Sequence, residues 1–398
     1  PWAGEPVTPH SAMQISAVWR AIRLTAETVA SLPVNIYRET TTGPELERGG
    51  ATDVLIRESP NTDQTPMEFW EQIIGCAELV GDGLARKHKI GSRTVALTLM
   101  DPTRTVLDEN VQGSPVWRYH DEKGKEVVLQ ADEVFHLPGF SLGGRRGMST
   151  VRYGAQSMSL ALAATKTSAN LFRNGMRNSG FLETGMTLDE PDRQRLQQIL
   201  GEYMGSSGVG GLMILEGGMK FVPMNMSAHD AELLLTRKFE IEEIGRWFGM
   251  PPILLGHAVE GQTMWGSGVD SIIQAWSTLG LRQRLIRIQQ VVRKRLMTPA
   301  EKAAGLYAKY NPDALLATNS LARAQMLGTL VSSSLLKPNE GRALLERGAV
   351  DGGDQLLAPV NLAPLTMLGQ SSAPAEQVRT ALRAWLIEDP GREVPPAA

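Results

Sequence analysis

Two periods of apolar spacing run along this chain, and the changes from one to the other mark its parts. From Ser16 to Leu32 apolar residues fall at Val18, Trp19, Ile22, Ala26, Val29 and Ala30. That spacing follows the helical repeat and predicts an amphipathic helix with Ser16 as N-cap and Pro33 as its stop. Val34 to Tyr37 read as a short strand before a polar Thr-Thr-Thr-Gly turn. A second helix is predicted over Pro66–Val80 with Thr65 as its cap. Residues 84–136 change to strand-like segments broken by turns: Thr94–Met100, Thr105–Leu107, Val116–His120 and Glu126–Leu129.

After a glycine-rich loop, Phe140–Gly147, the helical period returns. An alanine-rich helix is expected over Ser149–Asn174. Residues 180–225 read as a strand–helix–strand–strand unit, with strands near Gly180–Thr184, Leu212–Glu216 and Phe221–Met224 and a helix over Glu190–Tyr203. A long helix follows over Ala228–Phe248, stopped by Gly249 and the Pro251-Pro252 pair. Residues 253–268 are irregular, and another helix spans Val269–Leu296. The remainder to Gly348 is helical in pattern, with a helix start at Pro338-Asn339. The tail from Gln370 is rich in Ala, Pro and charge and is expected to be mobile. No internal repeat is visible. A small α/β unit thus separates two helices of roughly 30–40 Å, a stalk carrying a tip, which suits an assembly part better than an enzyme core.

Composition narrows the function classes. The chain has 398 residues, enough for two or three domains or one elongated subunit. Its 42% hydrophobic and 21% charged residues predict a folded protein. The formal net charge of −3 disfavours a tight clamp on phosphates, though not a protein past which DNA slides. The single cysteine, Cys76, allows no intrachain disulfide, suits a reducing compartment and is expected as a buried thiol. No apolar run reaches the ~20 residues of a membrane-spanning helix, so no membrane partner is expected. No signal peptide is visible, and the start at Pro1 predicts an initiator region that has been removed or lies outside this sequence.

Candidate chemistry is sparse. The glycine loop lacks GxxxxGK[ST], so a nucleotide site is not expected. The six histidines form no HxxxH or HxxC pair, and no metal or cofactor is expected. His136 is read as a structural hydrogen-bonder, and Ser227 or Asp230 as a helix cap. Glu240, Glu242 and Glu243, near Arg237, Lys238 and Arg246, read as a solvated helix face with i,i+4 pairs. The run from Arg282 to Arg295 is basic with no acid between. Its Arg282, Arg284 and Arg287 read as a solvated or subunit-facing stripe, or as contacts to DNA phosphates or an acidic neighbouring subunit. No catalytic residue is predicted.

The order and spacing of several segments resemble the portal proteins of tailed phages of the siphovirus type, also found in prophages and gene transfer agents. The likeness runs from about residue 16 to about 345. It is carried by Ser16–Pro33, by Ser59-Pro60-Asn61 with Thr65 and Glu68-Phe69-Trp70, and by Leu99–Arg104. Glu133–Ser141, Gly147-Met148-Ser149, Phe172–Gly175, Ser179-Gly180, Leu215–Phe221, Ile244–Pro252 and Leu255-Gly256 complete it. Departures are Val80–Ala85, where GNAYA is usual, and Gly280 and Gln289 in a region that commonly holds Pro and Glu.

The resemblance implies an α+β, mainly α-helical portal fold with wing (1–148), stem helix (149–178), clip (179–226), second stem helix (227–250), tunnel-loop region (251–268), wing helix (269–300), crown (301–360) and tail (361–398). It implies a homo-oligomer, a dodecameric ring at the capsid vertex of a virion assembled in the bacterial cytoplasm. Double-stranded DNA in transit, the large terminase, a head–tail adaptor protein and the major capsid protein are its implied partners. Gln262, Thr263, Met264 and Trp265 are then expected to approach the DNA. The alternatives are another ring-forming connector component, a generic DNA-binding protein, or an enzyme on the glycine loop.

Overall fold

The computed structural model describes residues 3–121, 123–173, 180–183, 185, 189–196, 220–223, 227–257, 267–312, 314, 320–345 and 347–357. The chain divides into two units, Pro1–Pro312 and Asp313–Ala398.

In the first unit, helix α1 (Ser16–Ser31) buries Ala17, Val18, Ala21, Ile22, Ala26 and Val29. Its N-cap is Ile15 and not Ser16, which is already helical; no side chain caps this end. Strands β1 (Val34–Thr40) and β2 (Gly43–Glu47) form a hairpin. Helix α2 (Pro66–Val80) starts with Pro at its first turn and a reciprocal Thr65–Glu68 capping box, and ends on Gly81 in the left-handed region at φ 90°. Its buried Phe69, Trp70, Ile73 and Ile74 each contribute roughly 1.5–3 kcal/mol of burial, and the helix packs on α1.

Strands β3 (Asp82–Ile90) and β4 (Arg93–Met100) pair antiparallel. A meander of β5 (Thr105–Glu109), β6 (Pro115–His120) and β7 (Glu126–Gln130) follows. Strand β8 (Val134–Pro138) returns to the other edge of β3. Leu84, Met100, Trp117, Leu129 and Val134 form the core that joins these two small sheets.

The alanine-rich segment is two helices, not one: a short turn at Thr150–Tyr153 capped by Ser149, then α3 (Ala155–Arg173). The break is at Gly154, where a Cβ would lie 3.2 Å from the Trp247 ring and 3.0 Å from the Thr150 carbonyl oxygen. Beyond it, β9 (Gly180–Glu183) and β10 (Lys220–Pro223) pair antiparallel. Residues 190–196 are helical; the expected strand at Leu212–Glu216 lies outside the described residues. Helix α4 (Ser227–Phe248) packs on α3 and α1.

The long helix predicted over Val269–Leu296 is α5 (Ser267–Trp276), a π-helical turn at Ser277–Leu281, and α6 (Arg282–Arg295). Then Leu306–Tyr310, expected as helical, is strand β11. Leu306, Ala308 and Tyr310 are buried in strict alternation, and β11 pairs with β1, from Val34↔Tyr310 to Arg38↔Leu306. The three-stranded order β11-β1-β2 joins segments far apart in sequence, so five alternating residues carried too short a signal to override the flanking helical pattern.

In the second unit, helices α7 (Ser320–Ser332) and α8 (Pro338–Leu344) pack together. Asn339 ties the start of α8 to the following turn: its amide nitrogen donates to the Val350 carbonyl at 3.1 Å, and the Val350 N–H donates to its side-chain oxygen at 2.9 Å. The expected mobile tail falls outside the described residues.

Candidate functional site

Two buried polar junctions brace the first unit. The first centres on Asp82, which opens β3 directly after the Gly81 cap and is 1% exposed. The His136 Nε2 lies 2.7 Å from its Oδ1, and the Gly147 N–H donates to the same oxygen at 2.8 Å. Arg146 Nε donates to Oδ2 at 2.7 Å, while its other nitrogens donate to the Thr105 and Pro102 carbonyls at 2.8 and 3.2 Å. The Arg146 guanidinium stands 5.9 Å from the Trp117 ring centre, and Trp117 meets His136 edge-on at 4.9 Å.

Burial works against ionisation of Asp82, but the donors from His136, Gly147 and Arg146 outweigh it and hold the carboxyl below its ordinary value. Burial pushes the His136 imidazole below its own ordinary value, and the adjacent Asp82 only partly opposes this. At neutral pH His136 is therefore neutral and its Nε2–H donates to an ionised Asp82. The expectation that His136 is a structural hydrogen-bonder agrees with this geometry. The glycine loop does cradle an anion, but the anion is the chain's own carboxylate. Gly147 is required for that approach, since a Cβ there would lie 1.8 Å from the Gly81 carbonyl oxygen.

The second junction joins three elements. Arg284 on α6 makes a two-pronged ion pair with Glu78 on α2, both contacts at 2.7 Å. The same guanidinium donates to the Phe248 carbonyl at the end of α4, at 3.0 Å, and to the Gly280 carbonyl in the π turn, at 3.2 Å. Burial would favour neutral arginine, but Glu78 more than offsets this and raises the Arg284 pKa. Arg284 thus fastens the last turn of α4 to the first turn of α6. Nearby, Lys87 Nζ donates to the Arg295 carbonyl at 2.9 Å. Burial, with Lys89, Arg295 and Lys302 close by, pushes that ammonium down to about 8.

The segment leaves α4 through a 3-10 turn at Pro252–Leu255 and Gly256 at φ 80°, and re-enters helix at Ser267. Gln262, Thr263, Met264 and Trp265 lie outside the described residues. Of the other candidates, Arg284 is engaged inside the subunit, Arg282 is exposed and Arg287 is half-buried. The predicted solvated acidic face needs correction. Glu243 pairs with Arg246, and Glu242 lies 3.8 Å from the same arginine, but Glu240 is buried at 7% exposure. It lines a pocket together with residues of α3 and the N-terminal segment.

The Glu78–Arg284 and Asp82–Arg146 pairs were not found from sequence. Each joins residues far apart in the chain, 206 and 64 positions, and no local spacing encodes such a pair. Among the described residues no group of His, Cys, Asp and Glu is arranged to hold a metal ion, and no helix is long and apolar enough to cross a membrane.

This architecture has known counterparts. Residues 16–346 match the family model described as phage portal protein. The portal protein of Enterobacteria phage HK97 is 28% identical over 91% of this chain and 85% of its own length. The probable portal protein of Streptomyces phage phiC31 is 30% identical over 90% of this chain and 81% of its own length. A chain from the neck of a native gene transfer agent particle, computed with C12 symmetry, superposes with a TM-score of 0.57 at 22% identity. It covers 86% of this chain and 94% of its own. A family match over residues 16–346, with a relative 30% identical over 90% of the chain, leaves one assignment: the chain belongs to the phage portal protein family.

Proposed function

We propose that the chain is one subunit of a dodecameric ring at a capsid vertex, the channel by which double-stranded DNA enters a virion and leaves it. The observation that carries this is the pair of long helices, α3 and α4, flanking the β9–β10 strand pair inside the family match. The C12 symmetry of the gene transfer agent neck supports the ring size. In this reading residues 1–148 and 269–300 are the wing, 149–178 and 227–250 the stem, 179–226 the clip, 251–268 the tunnel loop, 301–360 the crown and 361–398 a mobile tail. The clip docks the large terminase during packaging and the head–tail adaptor afterwards, and the major capsid protein surrounds the wing.

The subunit supplies no catalysis, so the energy for DNA movement comes from the terminase. Gln262, Thr263, Met264 and Trp265 face the DNA. Between residues 253 and 268 the only formally charged side chain is Glu260. Each neutralised phosphate adds affinity and salt dependence, so a wall of this kind lets DNA slide without being held. Arg282 and Arg287 then serve subunit contacts away from the bore.

Electron-microscopic class averages of the purified protein test the ring. Twelvefold particles with a two-helix stalk per subunit are expected. Rings without that stalk would mark a different connector component, and a DNA-binding monomer with steep salt dependence would replace the conduit with a clamp.

A further inference from the structure

Glu240 is the one acid of its helix face that the fold hides. Among the described residues its Oε1, closed to solvent, has no hydrogen-bond partner and no ion pair reaches it. The carboxyl borders an open pocket of about 780 Å³ between the N-terminal segment, α3 and α4, with Gln14, Ser16, Thr165 and Lys166 on its walls. Lys166 is engaged by Glu5 at 2.7 Å. Arg237, one turn before Glu240, is exposed and offsets the burial of the acid only in part. A buried acceptor without a donor is a standing cost to the subunit, and it is relieved when a donor arrives from outside.

Donors of the matching charge are on the same chain. Arg282, Arg287 and Arg293 of α6 form no ion pair with any described residue, and no acid lies between positions 282 and 295. Their neighbour Arg284 is already held by Glu78. In a ring, each subunit meets its neighbour through two different surfaces, so an acid without a donor and guanidinia without an ion pair can meet across a heterologous contact without self-matching. We infer that the Glu240 pocket is an inter-subunit socket, filled by the guanidinium of Arg282 or Arg287 on α6 of the next copy. This rests on the ring assignment above.

The test is a double-mutant cycle on assembly. Glu240→Gln, the pair Arg282→Glu with Arg287→Glu, and all three together are compared with the unaltered chain by native mass spectrometry over protein and salt concentration. The melting of the dissociated subunits is followed in parallel. Each set is expected to raise the concentration for half-assembly by about tenfold or more, with the combination no worse than the weaker of its parts. The Glu240→Gln subunit should melt no lower than the original. Additive losses, or normal assembly of Glu240→Gln, would overturn the socket. So would a lower melting point for the Glu240→Gln subunit, because the donor would then lie in its own chain. An unaltered chain that never forms rings would remove the ring assignment itself, a separate failure read before any variant is compared.

Discussion

Arg284→Met tests the junction that holds α4 and α6 together. Methionine keeps much of the apolar stem while removing every donor. Glu78 is left as a carboxylate with a side chain only 17% exposed, and the Phe248 and Gly280 carbonyls lose their guanidinium donor. Removing one partner of a buried pair costs about 3–5 kcal/mol. The residual exposure of both side chains, 18% and 17%, brings the expected loss toward about 2–3 kcal/mol. If the loss comes from the stranded carboxylate, neutralising it returns much of the stability. In a cycle with Glu78→Gln, the coupling energy should be about 1.5 kcal/mol or more. Urea unfolding of the dissociated subunit measures it. Hydrogen exchange should also accelerate in the last turn of α4, which loses its link to α6. A coupling below about 0.5 kcal/mol would refute the view that this pair, and not simple packing, fastens the two helices.

Three further outcomes follow from the same structure. The folded pKa values of His136 and Asp82 both lie below their ordinary values, so the unfolded chain binds more protons in acid and stability falls as pH falls. The His136 share is complete above about pH 6.5 and is lost as pH drops through its lower folded value. Urea midpoints between pH 8 and 5 should therefore fall less in His136→Gln than in the original, and equal slopes would contradict a neutral buried imidazole. Gly147→Ala should destabilise by more than about 2 kcal/mol in thermal melts, because its Cβ meets the Gly81 carbonyl; a wild-type melting point would show that the loop yields. Burial, aided by Asp101, pushes the Cys76 thiol up to about 11, so maleimide labelling at pH 7 should be slow until denaturant is added.

What the sequence makes legible is what local chemistry determines. Helix α2 is bounded by Thr65, Glu68, Pro66 and Gly81, all within a turn of its ends, and its span is read correctly. Helix α4 is likewise stopped by neighbours in sequence. The errors lie where distant packing decides. The strong helical pattern breaks at Gly154, where a side chain would meet Trp247, 93 positions away, and β11 is a strand because β1 offers it an edge. His136 is identified as a hydrogen-bonder, but its partner Asp82 is 54 positions away and was visible only as a departure from a family motif. Glu240 shows the same limit: its spacing from Arg237 and Arg246 suits a wet face, and only the approach of α3 and the N-terminal segment buries it.

The pairing of Val34 with Tyr310 also sets a schedule for the ribosome. The hairpin of β1 and β2 is complete once Glu47 is made, but its third strand, ending at Tyr310, is among the last parts of the first unit to emerge. At roughly 5–20 residues per second, that wait is on the order of 15–55 s, during which one edge of β1 keeps its backbone donors and acceptors open. A nascent chain in that interval is competent to pair with another nascent chain on the same message. Slowing elongation before the codon for Tyr310 should thus lower the yield of soluble subunit even though the finished sequence is unchanged.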